Sequence, residues 1–152
     1  NEDNENIYYR SVTYDKVCYN LNDTVRVLQD QNANETWCAK ITKLYENKKT
    51  NEPRMKTTWY WNFDDISAVI EKGSYTLPDN MSLNTFCNHL LNNEVIESPN
   101  YNDDENSIQF LCGKFKLYRD ISRFNRKRKK DKTNAFFCRY IIDFEQQILY
   151  DP

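Results

Sequence analysis

The chain holds three tryptophans, and two of them, Trp59 and Trp61, flank Tyr60 in the segment TTWYWNFDD at residues 57–65. In an extended chain alternate side chains point the same way, so Trp59 and Trp61 share one face and Tyr60 takes the other. The third, Trp37, opens another alternating run, TWCAKITKLYE. If the two runs are neighbouring strands in suitable register, all three indoles can meet. Electron-rich rings around a small space attract a quaternary or trialkylated ammonium through their quadrupoles, by about 0.5 kcal/mol per contact when exposed and about 2 kcal/mol when desolvated. Asp64 and Asp65 follow at once. A carboxylate at the rim would add Coulombic attraction and accept a hydrogen bond from any N–H left on a less methylated amine. The same spacing also suits plain core, because large aromatics at period two usually mark the inner face of a sheet. Spacing alone leaves both readings open.

The elements that must carry these residues are mostly strands. Alternation through Val25 and Val27, after a turn at Asn22-Asp23, predicts one strand. In the Trp37 run, Trp37, Ala39 and Ile41 fall on one face and Cys38, Lys40 and Thr42 on the other. The polar stretch NKKTNEPR separates it from MKTTWYWNF, so the two read as neighbouring strands joined by a loop. Further strands are predicted at EVIES, SIQFLCGKFKLY and AFFCRYIIDFEQQILYD. A short helix is predicted over ISAVIEKG, ending at Gly73. A second follows Pro78-Asp79, where Leu83, Phe86, Cys87, Leu90 and Leu91 recur at helical spacing behind caps at Asp79, Asn80 or Ser82. The expected architecture is mainly β, a distorted barrel-like or sandwich arrangement with one or two short helices. Residues 1–6 are expected to be a frayed or disordered terminus and residues 7–150 one domain.

Composition limits the function classes. The chain has 152 residues, a formal net charge of -2, only two glycines, and 20 asparagines spread through its predicted elements. Five cysteines (Cys18, Cys38, Cys87, Cys112, Cys138), an odd and widely spaced set with no CxxC, predict reduced, buried thiols rather than a disulfide framework. The single histidine, His89, is expected at the surface or edge of a helix; it is too little for a zinc site. No Gly-rich phosphate loop, HExxH or Ser/His/Asp set is present, so neither an enzyme nor a cofactor is expected. No apolar run reaches the length of a membrane span. Eight of the fourteen residues at 119–132 are Lys or Arg, among them Arg123, Arg126, Lys127, Arg128, Lys129 and Lys130. Such a run is a candidate for nucleosomal DNA contact or nuclear import, set against a solvated loop.

In order along the chain, LNDTVRVL, TWCAKITKLYE, MKTTWYWNFDD, NEVIES, IQFLCGKFKLY and FFCRYIIDFE resemble the signature of the bromo-adjacent homology (BAH) domain of chromatin proteins. That signature has a Gly-Asp turn, an aromatic-x-Ala-x-Ile strand, a Trp-Tyr-Tyr-Arg-Pro-Glu-Glu segment, Asn-Glu-Leu-Phe-x-Ser, Ile-x-Gly-Lys-Cys and Tyr-Tyr-Cys-Arg-Phe. The resemblance spans about residues 7 to 150. It implies the BAH fold and, in the methyl-lysine-reading branch, an aromatic cage whose members fall here on Trp37, Trp59 and Trp61, with Asp65 as the acidic lip. By the same resemblance Asp64, Glu94, Ser98, Asn100 and Asn102 are expected to contact the peptide. The implied ligand is a di- or trimethylated histone-tail lysine, on histone H3, with the tail held extended along a strand edge. The implied partners are that tail, nucleosomal DNA and chromatin-complex proteins, in the nucleus; the alternative is a scaffold without a methyl-lysine pocket.

The sequence departs from the family pattern in places. Asn22 stands for the turn Gly, Asn62-Phe63 for Arg-Pro, and Cys112-Gly113-Lys114-Phe115 for Gly-Lys-Cys. Plant-type readers of a trimethylated H3 lysine carry His-x-Asp after the Ser segment, where this chain has Asn100 and Asn102. The helix around residues 83–91 looks like an insertion.

Overall fold

In the computed structural model, which describes residues 5–30, 34–100, 105–130 and 134–152, the predicted strand segments become strands, except that Ile108–Phe110 within SIQFLCGKFKLY forms a 3₁₀ turn behind Ser107, whose Oγ accepts from Gln109 N–H at 3.2 Å. In chain order the first are β1 (Asn6–Tyr9), β2 (Ser11–Tyr14), β3 (Val17–Asn20), β4 (Thr24–Leu28), β5 (Thr36–Asn47) and β6 (Pro53–Trp61). Helices α1 (Phe63–Lys72) and α2 (Leu83–His89) precede β7 (Glu94–Ser98), β8 (Glu105–Ser107), β9 (Leu111–Lys114) and β10 (Lys116–Tyr118). Helix α3 (Ile121–Arg128) leads into β11 (Ala135–Asp143) and β12 (Ile148–Tyr150). The protein is mainly β, as expected. It divides into two compact units, Asn1–Trp59 with Tyr101–Lys114, and Tyr60–Asn100 with Phe115–Pro152.

In the first unit the strand order is β9-β4-β5-β6, with β1 paired to β5, β8 to β6, and β2 with β3 forming a separate ribbon. The register of β4 on β5 sets Val25 opposite Ala39 and Val27 opposite Trp37. Val25, Val27, Ala39, Ile41 and Met55 are fully buried, which is the burial their alternation predicts. The turn into β4 sits on Asn22, whose φ of 71° is left-handed; Asn22 N–H donates to the Ile41 carbonyl at 2.8 Å. Asparagine tolerates that conformation because its short amide bonds locally, so it fills the corner the family gives to glycine. Gly113 does need its own freedom, with φ at 108°, and its N–H donates to the buried Tyr19 hydroxyl at 3.0 Å.

In the second unit β11 lies between β7 and β10, parallel to both, and β12 returns antiparallel along β11. Ile66 and Ile70 from α1, Phe86 from α2, and Ile96, Tyr140, Ile142 and Leu149 from the strands close one core. Helix α2 starts at the Ser82 cap, whose side chain accepts from Thr85 N–H at 3.2 Å. Helix α1 ends where Gly73 N–H reaches the Val69 carbonyl at 3.1 Å. His89 closes α2 and is exposed, as expected. In neither unit do the strand pairings of the described residues close on themselves.

Two further sequence expectations change. A third α-helix, α3, occupies the basic run that read as a loop. Asp120 caps it, accepting from Ser122 and Arg123 N–H at 2.8 and 3.3 Å. Its only fully buried side chain is Phe124, stacked 5.6 Å from Phe137, so the apolar periodicity was too sparse to see. Of the five cysteines only Cys38 and Cys138 are buried; Cys18, Cys87 and Cys112 fall on outward positions and are exposed. Of the expected frayed stretch, residues 1–4 lie outside the described residues, whereas Asn6 opens β1 and Glu5 lies 3.5 Å from Lys49.

Candidate functional site

Trp37 and Trp59, on the neighbouring strands β5 and β6, meet edge to face with ring centroids 5.5 Å apart and planes at 84°. Such a pairing adds about 0.5–1.5 kcal/mol beyond its buried area. Trp37 is half-buried, while Trp59 is only 2% exposed. Two walls of the sequence-predicted trio are thus brought together within the first unit, one of them sunk in its interior.

Trp61 ends β6 and belongs to the second unit, half-buried against its core. Its indole N–H donates to Ser98 Oγ at 2.8 Å, and its ring meets Phe144 edge to face at 6.3 Å. The indole is therefore pinned in orientation. Ser98, expected to contact a peptide, is 1% exposed and holds that indole.

Asp64 and Asp65 are exposed in the first turn of α1, and Asp65 N–H donates to the Asn62 carbonyl at 3.0 Å. Two carboxylates directly after the aromatic strand favour a helix start there, because negative charge is stabilised at a helix N-terminus. This local duty exists whatever else the two residues bind.

Glu94, also expected at a peptide surface, has a side chain with no exposed area. Arg139 grips it with two bonds, Nη2 to Oε1 at 3.1 Å and Nε to Oε2 at 3.3 Å, and Leu91 N–H donates to Oε1 at 2.9 Å. The guanidinium in turn lies over the Tyr140 ring at 4.8 Å. Asn100 is exposed in the turn after β7, and Asn102 lies outside the described residues.

A second ion pair escaped the sequence reading. Glu97, buried on β7, accepts from Arg119 Nη2 at 2.8 Å. Around it burial pushes the Cys138 thiol up to about 12, with Arg119 opposing and Glu97 adding to the rise. Burial likewise raises the Tyr60 phenol, reinforced by the Glu97 charge. A second glutamate in the short strand segment EVIES was the available signal, because a buried carboxylate demands a cation.

The cations Arg123, Arg126, Lys127, Lys129 and Lys130 are exposed on or just beyond α3, and Arg128 is half-buried over the Phe124 ring at 5.4 Å. Among the described residues no cluster of three or more His, Cys, Asp or Glu could hold a metal ion, and no helix is long and apolar enough to cross a membrane.

No protein-family model matches the sequence, and no curated protein matches it. Among solved structures the chain is similar to the yeast Rsc2 BAH domain, with a TM-score of 0.61 and 13% identity over 95% of its length. It spans about half (54%) of that solved chain. The ordered motifs and the solved neighbour agree on one architecture: this chain has the BAH-domain fold.

Proposed function

We propose that this chain is a non-catalytic, chromatin-associated nuclear module that reads a di- or trimethylated histone-tail lysine, on histone H3. The observation that carries the reading is the perpendicular Trp37–Trp59 pair, in which the half-buried Trp37 is braced by a sunken neighbour. A braced indole receives an ammonium without first losing side-chain freedom, which is the advantage of a preorganised site. Trp61 and Asp65 enter as further cage members through the resemblance, and so does tail pairing along a strand edge. A few cation-π contacts plus backbone pairing correspond to micromolar affinity, on the order of 8 kcal/mol.

The test is a titration of the 152-residue chain with trimethyl-lysine and unmodified H3 peptides, read by Trp fluorescence and peptide anisotropy. The expected result is methylation-dependent quenching, lost by at least about tenfold in Trp37→Ala, a change of about 1.4 kcal/mol. Trp37 is the better position to truncate, because removing the sunken Trp59 costs about 3–5 kcal/mol of stability. A parallel Trp61→Ala variant asks whether the third indole contributes. Equal affinity for modified and unmodified peptides overturns the reading. A modified-histone peptide array then names the lysine and its methylation state.

A scaffold for protein–protein docking is the second reading. It is favoured by the 2% exposure of Trp59 and by the internal engagement of Glu94 and Ser98. It predicts partner binding that ignores lysine methylation.

A further inference from the structure

We propose that α3 and the adjoining turn at Asn92 and Asn93 bind the phosphate backbone of duplex DNA without reading its sequence, an inference that stands apart from the methyl-lysine reading and survives without it. The basic run is ordered and presented. Arg123, Arg126, Lys127 and Lys130 recur at i, i+3, i+4 and i+7, and Lys129 continues the helical backbone past Arg128 with φ −64° and ψ −30°. Those four side chains therefore share one side of the helix, while Phe124 is 0% exposed against Phe137. From Arg123 to Lys130 the axial rise is about 10 Å. Duplex DNA of that length carries about six phosphate charges.

The state of the charges supports a ligand role. Among the described residues none of the six cations from Arg123 to Lys130 lies within ion-pair distance of a carboxylate, while Lys49, Arg54, Lys114, Arg119 and Arg139 each do. Three described carboxylates of the same unit are otherwise occupied. Asp120 accepts from the helix's own N–H groups, Glu97 holds Arg119 and Glu94 holds Arg139. Among the described residues, positive charge is thus gathered on and just beyond α3 with no carboxylate paired to it.

The surroundings specify the kind of polyanion. At the C-terminal end of α3 a cleft of about 420 Å³ is lined by Asn92, Asn93, Arg128 and Lys129. Asn93 holds this turn with φ at 63° and an Nδ2–H bond to the Ala135 carbonyl at 3.3 Å. Amides beside guanidinium and ammonium groups are donors suited to phosphate oxygens. A protein partner would call for aromatic or aliphatic anchors at the centre of the face. A membrane surface would call for an apolar stripe to sink into lipid. The only large apolar side chain exposed on α3 is Ile121, 41% exposed at its first position, while its aromatic is sealed inward. The overall charge of −2 argues against polyanion attraction spread over the whole surface.

Fluorescence anisotropy of the full 152-residue chain on two short duplexes of unrelated sequence, over a range of salt, tests the proposal. Each neutralised phosphate contributes a slope of about −0.9 in log K against log salt. The double variant Arg126→Gln/Lys127→Gln is expected to reduce the slope by about two on both duplexes alike. The control Lys48→Gln/Lys72→Gln, which removes the same charge from exposed positions elsewhere, leaves it unchanged. The proposal is overturned if the wild type binds neither duplex at low salt or if both double variants lose equally. It is also overturned if phosphatidylserine vesicles or polyglutamate bind more tightly than DNA.

Discussion

Strand β7 and helix α3 lie in one unit and handle charge in opposite ways. On β7, Glu94 and Glu97 are buried, and each is matched by an arginine from a different part of the chain. On α3 and its immediate extension six cations stand at or near the surface with no carboxylate in reach among the described residues. The contrast follows from solvent. An ion removed from water must be paired and hydrogen-bonded, or it costs several kcal/mol, whereas an exposed cation needs no partner and remains available to a ligand. The glutamates of the EVIES segment are therefore scaffold, although their types alone would suit a recognition surface. The six cations from Arg123 to Lys130 are the reverse case, at or near the surface with no described carboxylate paired to them.

Three measurements bear on this contrast. Arg139→Met leaves the Glu94 carboxylate buried and without its guanidinium, and should destabilise the unit by about 3–5 kcal/mol in urea unfolding. A loss below about 1 kcal/mol would mean the pair behaves like a surface bridge. The next effect is alkaline. Cys138 keeps its proton up to about 12 in the folded chain, against about 9 for an ordinary thiol. Above about pH 9 the unfolded chain loses that proton first, so stability should be level below that pH and fall as pH rises further. Cys138→Val should flatten the onset of this fall in a pH series of urea midpoints; an unchanged onset would assign it to other groups. Smallest of all, Arg126→Gln/Lys127→Gln should move the midpoint by no more than about 0.5 kcal/mol, as expected of exposed positions. A larger loss would give α3 a structural use for its charge.

Local order was legible where one side chain's environment depends on neighbours within a few residues. The alternation at Val25 and Val27 and the Gly73 stop could be read directly, the α2 cap was narrowed to Asp79, Asn80 or Ser82 and proved to be Ser82, and Asn22 proved to fill a left-handed corner. The pairing of Trp37 with Trp59 could be anticipated because two amphipathic strands separated by a short polar loop tend to be neighbours. How deeply Trp59 sits could not, because period two states which face a residue takes and not how much is packed above it. The partners of Glu94 and Glu97 lie 45 and 22 residues away in sequence, beyond any local pattern. Helix α3 was obscured for another reason. One phenylalanine is enough to anchor it, so charge swamps the amphipathic signal.

Asn22, Asn51, Asn80 and Asn93 all hold positive φ in a chain with only two glycines. Glycine at such corners surrenders more backbone freedom on folding than any other residue, while asparagine arrives already restricted and instead tolerates a little steric strain in the finished turn. This protein has therefore moved part of its turning cost out of the denatured ensemble and into the native corners. Replacing these asparagines with glycine would relax the native turns yet widen the range of shapes open to the unfolded chain, and the net gain would be smaller than the geometry alone suggests.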